Sequence, residues 1–200
     1  MTQAPDDDTG ERADAARNRA RLLEAAAWLV AERGAEHVTM HEVAQTAGLG
    51  KGTLFRRFGD RNGLLLALLD DVEAQFHEAY TCGPPPLGPG APAKDRLTAF
   101  GCALIERVAD DTDLGPALAR QIPVERRQNS SYGRAFHRHV ASLLRETGVV
   151  GDHDMLAHAL LAFTDLEIMD HVRNERQVGT ERLQSTWVDL VRRVTGGGAR

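Results

Sequence analysis

Gly48, Gly50 and Gly59 cut residues 39–62 into helical pieces of barely two turns, and no other feature limits the fold as severely. Glycine readily ends a helical pattern. Helices this short are not stable alone, so a longer neighbour must brace them. The preceding segment supplies one. Asp14 caps a helix reaching about Arg33, with Leu22, Leu23, Ala26, Leu29 and Val30 on one face and Gly34 as its stop. Thr39-Met-His-Glu42 then fits a capping box, in which the Thr hydroxyl meets an early helical N–H and Glu42 reaches back. Losing that hydroxyl costs ~0.5–2 kcal/mol. Val43, Ala44 and Ala47 carry this helix to Gly48, Leu49-Gly50 makes the turn, and Lys51–Phe58 forms the next helix.

Two short helices joined by a tight turn and braced by an earlier one make a helix-turn-helix. At about 100° per residue, Leu54 and Phe58 fall on the inner side of the second helix, against Val43, Ala44 and Leu49. Gly52, Thr53 and Arg56 fall on the outer side, flanked by Lys51, Phe55 and Arg57. That outer side suits a DNA groove. Gly52 lets the backbone come close, Thr53 can donate to a phosphate, and Arg56 or Arg57 can grip guanine with two hydrogen bonds. Arg61 opens the next helix, where a cation and free helical N–H groups together suit a phosphate.

The whole chain carries a net charge of −5, which by itself names no partner. Its distribution says more. Residues 11–62 hold nine Lys/Arg against seven Asp/Glu, while the 138 residues that follow hold fifteen against nineteen. A basic module on an acidic body is the pattern of a nucleic-acid reader, although a solvated helix face carries arginines too.

Residues Thr39 to Leu64 resemble the DNA-binding signature of the TetR family of transcriptional regulators, and the likeness covers roughly residues 17–70. It implies that Thr39, Thr53, Phe55 and Arg61 touch phosphates and that Lys51, Gly52, Arg56 and Arg57 face the major groove of double-stranded DNA. Phe55 stands where the family commonly has Tyr, and Gly50 where it often has Ser. The resemblance further implies repression of a palindromic operator, relieved by a small-molecule effector.

Beyond a long helix carrying Leu64, Leu65, Leu68, Leu69, Val72 and Phe76, the Pro/Gly run at 81–92 reads as a stiff loop. Later helices carry Leu97–Val108, a short stretch near 114–122, and Tyr132, Phe136, Val140, Leu143 and Leu144. A helix from Asp152 to Arg173 is apolar on two faces and must bury both. The last, at about 180–195, has one apolar stripe. The expected architecture is therefore all-α: a three-helix helix-turn-helix head at 14–62 and a helical bundle at 63–195, about nine helices in all. Residues 1–13 and 196–200 are expected to be disordered tails.

In the resembling family the last two helices pair with a second subunit, which places Leu161, Ile168, Val172, Leu183, Trp187, Leu190, Val191 and Val194 at a two-fold homodimer interface. Trp187→Glu is then expected to weaken dimerisation. Completion of the chain's own core is the competing reading of these faces. A dimer also suits DNA, presenting two reading helices to half-sites roughly 34–36 Å apart, or farther in some members. The family's small-molecule pocket maps to Phe100, Leu104, Tyr132, Phe136, Phe163 and Asp165, residues that plain core packing explains as well.

No cofactor or metal is expected. Asp154 with His158, and Glu167 with His171, have the i,i+4 spacing of chelating pairs, but each lacks a third ligand in sequence, and His137 and His139 point to different sides. Cys82 and Cys102 form neither a disulfide framework nor a zinc motif, and redox sensing requires an activated thiol. The sequence has no phosphate loop, nucleophile elbow or zinc-hydrolase motif, so an enzyme is not the expectation. Two alternatives stay open: a ligand-binding helical protein without DNA binding, and a cytoplasmic enzyme whose site forms only in the fold. Without a basic start and apolar stretch at the N-terminus, a cytoplasmic location is expected. A gel shift with DNA upstream of the gene separates these classes.

Overall fold

Gly48 does what its position requires. In the computed structural model, which describes residues 6–110 and 113–196 with side chains from Arg12 onward, α1 (Asp6–Arg33) is followed by a 3₁₀ turn at Ala35–His37, then α2 (Met40–Thr46) and α3 (Lys51–Phe58). Gly48 takes φ 62° between α2 and α3, a backbone region that favours glycine. The capping box forms in full: Thr39 Oγ1 accepts from the Glu42 amide at 3.3 Å, and the Glu42 carboxylate accepts from the Thr39 amide and hydroxyl. These bonds hold the Glu42 carboxyl below its ordinary range. Leu22, Ala26, Val43 and Leu54 have essentially no exposure and form the core of this first unit, residues 1–69.

α1 begins earlier than Asp14. It is helical from Asp6, so most of the expected tail at 1–13 lies in a helix, while residues 1–5 fall outside the described residues. Asp14 sits within α1 and pairs with Arg17 instead of capping it. The two compact units divide inside α4 (Arg61–Cys82), after Leu69, whereas the sequence reading put the boundary at 62.

The second unit, residues 70–200, continues with the rest of α4, then α5 (Ala93–Ala109), α6 (Leu114–Ala119), α7 (Val124–Gln128), α8 (Ser131–Glu146), α9 (His153–Phe163), α10 (Leu166–Asp170) and α11 (Thr180–Gly196). The fold is all-helical among the described residues. Eleven α-helices replace the expected nine or so, for two local reasons. Pro123, which has no amide N–H to continue the preceding helical turn, stands as the N-cap residue of the short α7. Asp165 accepts from the Glu167 amide and starts a new helix, α10, which breaks the single helix expected over 152–173. Of the expected tail at 196–200, Gly196 ends α11 and the rest lies outside the described residues.

α11 packs on α5, and α8 on α5 and α9. Trp187 of α11 is wholly buried, and its indole N–H lies 3.2 and 3.1 Å from the Leu97 and Thr98 carbonyls. Gly101 makes room for it: a Cβ there would come within 1.8 Å of the indole. Phe163 stacks on the same indole, at 6.4 Å between centroids. Phe76, Tyr80, Phe100 and Phe136 form an aromatic cluster on which the His139 ring rests, 4.4 Å from Tyr80.

His139 Nε2 has no hydrogen-bond partner among the described residues. Burial, reinforced by the charges of Arg96 and His77, lowers its pKa from 6.5 to about 4. The unfolded chain therefore binds a proton between these values that the folded chain refuses. Stability from this group is present above pH 6.5 and is lost as pH falls toward 4. Discounted for partial exposure, the loss is about 2 kcal/mol. Denaturant titrations at pH 7 and pH 4.5 should show it, and His139→Phe should flatten that slope.

Candidate nucleic-acid interface and cavity

α3 is short, amphipathic and anchored by one side chain. Leu54 is fully buried and Phe58 half-buried, while Lys51, Gly52, Phe55, Arg56 and Arg57 are exposed and Thr53 is half-exposed. Lys51 and Arg56 make no hydrogen bond or ion pair among the described residues. Phe55 leaves 48% of its surface in solvent. Gly52 is more telling: a Cβ there would meet nothing within 4 Å. Glycine disfavours a helix by up to about 1 kcal/mol relative to alanine, and nothing inside the chain asks for it here. An exposed position without side chain in the first turn, beside two cations unpaired among the described residues, is a surface open to close approach by an anionic backbone.

Three of the expected DNA contacts have partners within the chain. The Arg61 guanidinium donates to the Val38 carbonyl at 2.9 Å and to the Ala35 carbonyl at 2.6 Å. It fastens the start of α4 to Val38 and the 3₁₀ turn, a structural role the sequence did not reveal, and leaves the expected phosphate contact to its remaining N–H groups. Arg57 donates to the Ala15 carbonyl of α1, so of the two arginines Arg56 is the unencumbered one. The Thr39 hydroxyl is engaged by the cap.

Residues 22–68 match the family model described as bacterial regulatory proteins, tetR family. Residues 22–68 thus carry a TetR-type DNA-binding segment. Over 87 residues it is 33% identical to the HTH-type transcriptional repressor KstR2 of Rhodococcus jostii, which covers 42% of this chain and 41% of that protein. Over 53 residues it is 43% identical to HTH-type transcriptional regulators of Staphylococcus aureus, covering 26% of this chain and 29% of theirs. The chain thus spans less than half the length of these curated relatives. Among solved structures, the TetR-family repressor FadR of Thermus thermophilus, in complex with lauroyl-CoA, aligns with a TM-score of 0.66 at 21% identity, over 91% of this chain and 95% of that one. A TetR-family regulator from Rhodococcus sp. aligns at 0.58 and 24% identity, over 90% and 99%. At these identities the likeness shows the fold.

The second unit holds a cavity of about 600 Å³. Leu104, Tyr132, Phe136 and Asp165, four of the six residues named for a pocket, line it. Phe100 and Phe163 do not. Phe100 is buried in the aromatic cluster and Phe163 lies against Trp187. Leu161, expected at a dimer face, lines the cavity instead. The Tyr132 hydroxyl is buried without a hydrogen bond among the described residues, and burial raises its pKa.

Two charged clusters border the same cavity, and of their members the sequence reading had singled out only Asp165 for it. Arg107 holds Glu73 with two bonds, at 2.8 and 2.9 Å, and Asp113 at 2.7 Å. Burial opposes its charge, but these acids prevail and raise its pKa. Arg127, 6% exposed, donates to the Ala119 carbonyl and to Glu167 at 2.6 Å. Burial lifts the Asp165 carboxyl to about 6. Of the adjacent Arg126 and Arg127, the fold turns Arg127 inward.

The expected dimer set divides. Leu183, Trp187 and Val191 are core residues of this chain, and Val172, Leu190 and Val194 pack half-buried against the same core, because α11 turns its apolar stripe onto α5. Ile168 remains exposed, together with Met155 and Val188, which the sequence reading did not single out. Of the thiols, Cys82 is exposed, while burial, then Glu106, pushes the Cys102 thiol up, opposite to an activated cysteine. His171 meets Glu175 and Glu167 turns to Arg127, so that chelating pair does not form. No helix among the described residues is long and apolar enough to cross a membrane.

Proposed function

We propose that the chain is a transcriptional repressor that binds a palindromic operator as a homodimer through α3, and lets go when a small molecule fills the cavity of the second unit. The observation that carries this reading is the outer face of α3, where Gly52 has open space above it between the unpaired Lys51 and Arg56. Arg56 reads a base edge, while Lys51, Thr53 and the Gly52 amide seat against phosphates. Phe55 contributes apolar contact only. The second copy packs against Met155, Ile168 and Val188 of α9, α10 and α11, which replace Trp187 and its neighbours in that role.

The effector has an apolar body and a hydrogen-bonding end. Leu104, Phe136, Leu161 and Leu166 supply the apolar wall, and the Tyr132 hydroxyl supplies an unused donor. The FadR proteins of Bacillus subtilis and Thermus thermophilus, in complexes with stearoyl-CoA and lauroyl-CoA, make a long-chain acyl thioester the first effector to try. Such a ligand relieves repression only if it binds better to the conformation that cannot hold DNA.

The test is retardation of duplex DNA from upstream of the gene. Specific binding should weaken steeply with salt, because each neutralised phosphate releases counterions, and lauroyl-CoA should relieve it. Retardation that does not discriminate that duplex from a scrambled one would overturn the reading. Gly52→Ala gives a separate check. It should raise the melting temperature slightly, since helix propensity improves by up to about 1 kcal/mol, and yet weaken DNA binding through the added methyl. A variant both more stable and equally tight would remove close backbone approach from the account.

A further inference from the structure

We propose that His137, Asp154 and His158 bind one divalent transition-metal ion of the zinc class at the rim of the cavity, joining α8 to α9. The donor atoms of these three side chains all lie within 4.8 Å of one another. Asp154 and His158 stand one turn apart on α9, and His137 comes from α8, which packs against it. A tetrahedral ion with bonds of about 2.0–2.2 Å holds its ligands about 3.4 Å apart. One edge of that figure is already in place, with His137 Nε2 3.5 Å from Asp154 Oδ1. The two imidazole rings are 4.1 Å apart at their centroids, and side-chain rotation must spread them and bring the remaining donor separations, now up to 4.8 Å, to the tetrahedral value.

The donor chemistry selects the ion. Two imidazoles and a carboxylate suit zinc, and cobalt(II) as its spectroscopic substitute, better than magnesium or calcium, which prefer all-oxygen shells. Three protein ligands leave a coordination position open. His137 and His158 also line the cavity, so that position is within reach of an anionic group, such as a carboxylate, on a molecule held inside. Sequence spacing gave only the Asp154–His158 pair; the third ligand arrives from another helix, 17 residues away.

The test uses the full chain without an affinity tag, stripped by chelator and titrated with cobalt(II). The expected result is one ion per chain, with visible absorption of a low-coordinate site that zinc abolishes by displacement. Asp154 and His158 are exposed, so Asp154→Asn and His158→Ala should fold normally. Each should weaken zinc binding by more than the about 10–100-fold typical of losing an outer-shell partner, while His171→Ala leaves it unchanged. Absence of saturable cobalt binding, or a His158→Ala chain that binds like the parent, overturns the proposal and leaves His137 and Asp154 as an ion pair only. Neither titration involves DNA, so its outcome is independent of the regulatory reading.

Discussion

Arg56→Ala is expected to abolish discrimination between the operator and scrambled DNA while leaving the fold intact. Arg56 makes no contact within the chain that its loss would break, so the melting temperature should stay where it was. A two-bond contact from arginine to guanine is worth about 1–3 kcal/mol against the wrong base, a 5- to 150-fold loss at each half-site. A two-fold dimer compounds that loss, because both copies lose the contact together. Lys51→Ala should behave differently. It should weaken all sequences alike and lower the salt slope by about 0.9 for each phosphate contact removed. Arg57→Ala is the less clean variant, because Arg57 also ties α3 to the Ala15 carbonyl and its loss moves stability as well. Titrations of both duplexes at three salt concentrations check all three. Unchanged operator preference in Arg56→Ala would move the reading role off α3.

The parts of the head that were legible in sequence are those whose signal is local. The capping box at Thr39 and Glu42, the glycine between α2 and α3, and the buried Leu54 each rest on residues a few positions apart, and the structure has all three. The backbone bonds of Arg61 were not legible because the carbonyls it binds, at Ala35 and Val38, lie on a separate turn. A free cation and one spent on the backbone look the same in a sequence. The cavity follows the same rule. Leu104, Tyr132 and Phe136 came from laying the family resemblance on apolar helix faces, whereas Glu73, Arg107 and Arg127 were missed because long-range pairing alone allows a charge to be buried. The break at Thr164-Asp165 escaped because the apolar pattern runs through it, and only the Asp165 cap marks the new start.

Trp187→Ala is expected to unfold or nearly unfold the second unit. The side chain is fully buried, and its removal leaves a large void between α5 and α11. Losses of about 3–5 kcal/mol are typical for such a truncation, against a total stability of about 5–15 kcal/mol for a domain. Gly101→Ala approaches the same contact from the other side. Its methyl would come within 1.8 Å of the indole, and overpacking of this kind costs about 1–3 kcal/mol or more. Because the two residues share one contact, their effects should not add in the double variant, and denaturant titration of the two single variants and the double measures that coupling. The same geometry changes what Trp187→Glu reports. A carboxylate in that position is a buried unpaired charge, so any loss of dimer or of DNA binding would follow from loss of fold. Val188→Glu separates the two effects. Val188 is adjacent in sequence but 40% exposed, so the charge is solvated and the melting temperature of the isolated chain should hold. Sedimentation should nevertheless shift toward monomer, and operator affinity should fall with it. If Val188→Glu sediments as the parent does, the second copy docks elsewhere, whatever Trp187→Glu shows.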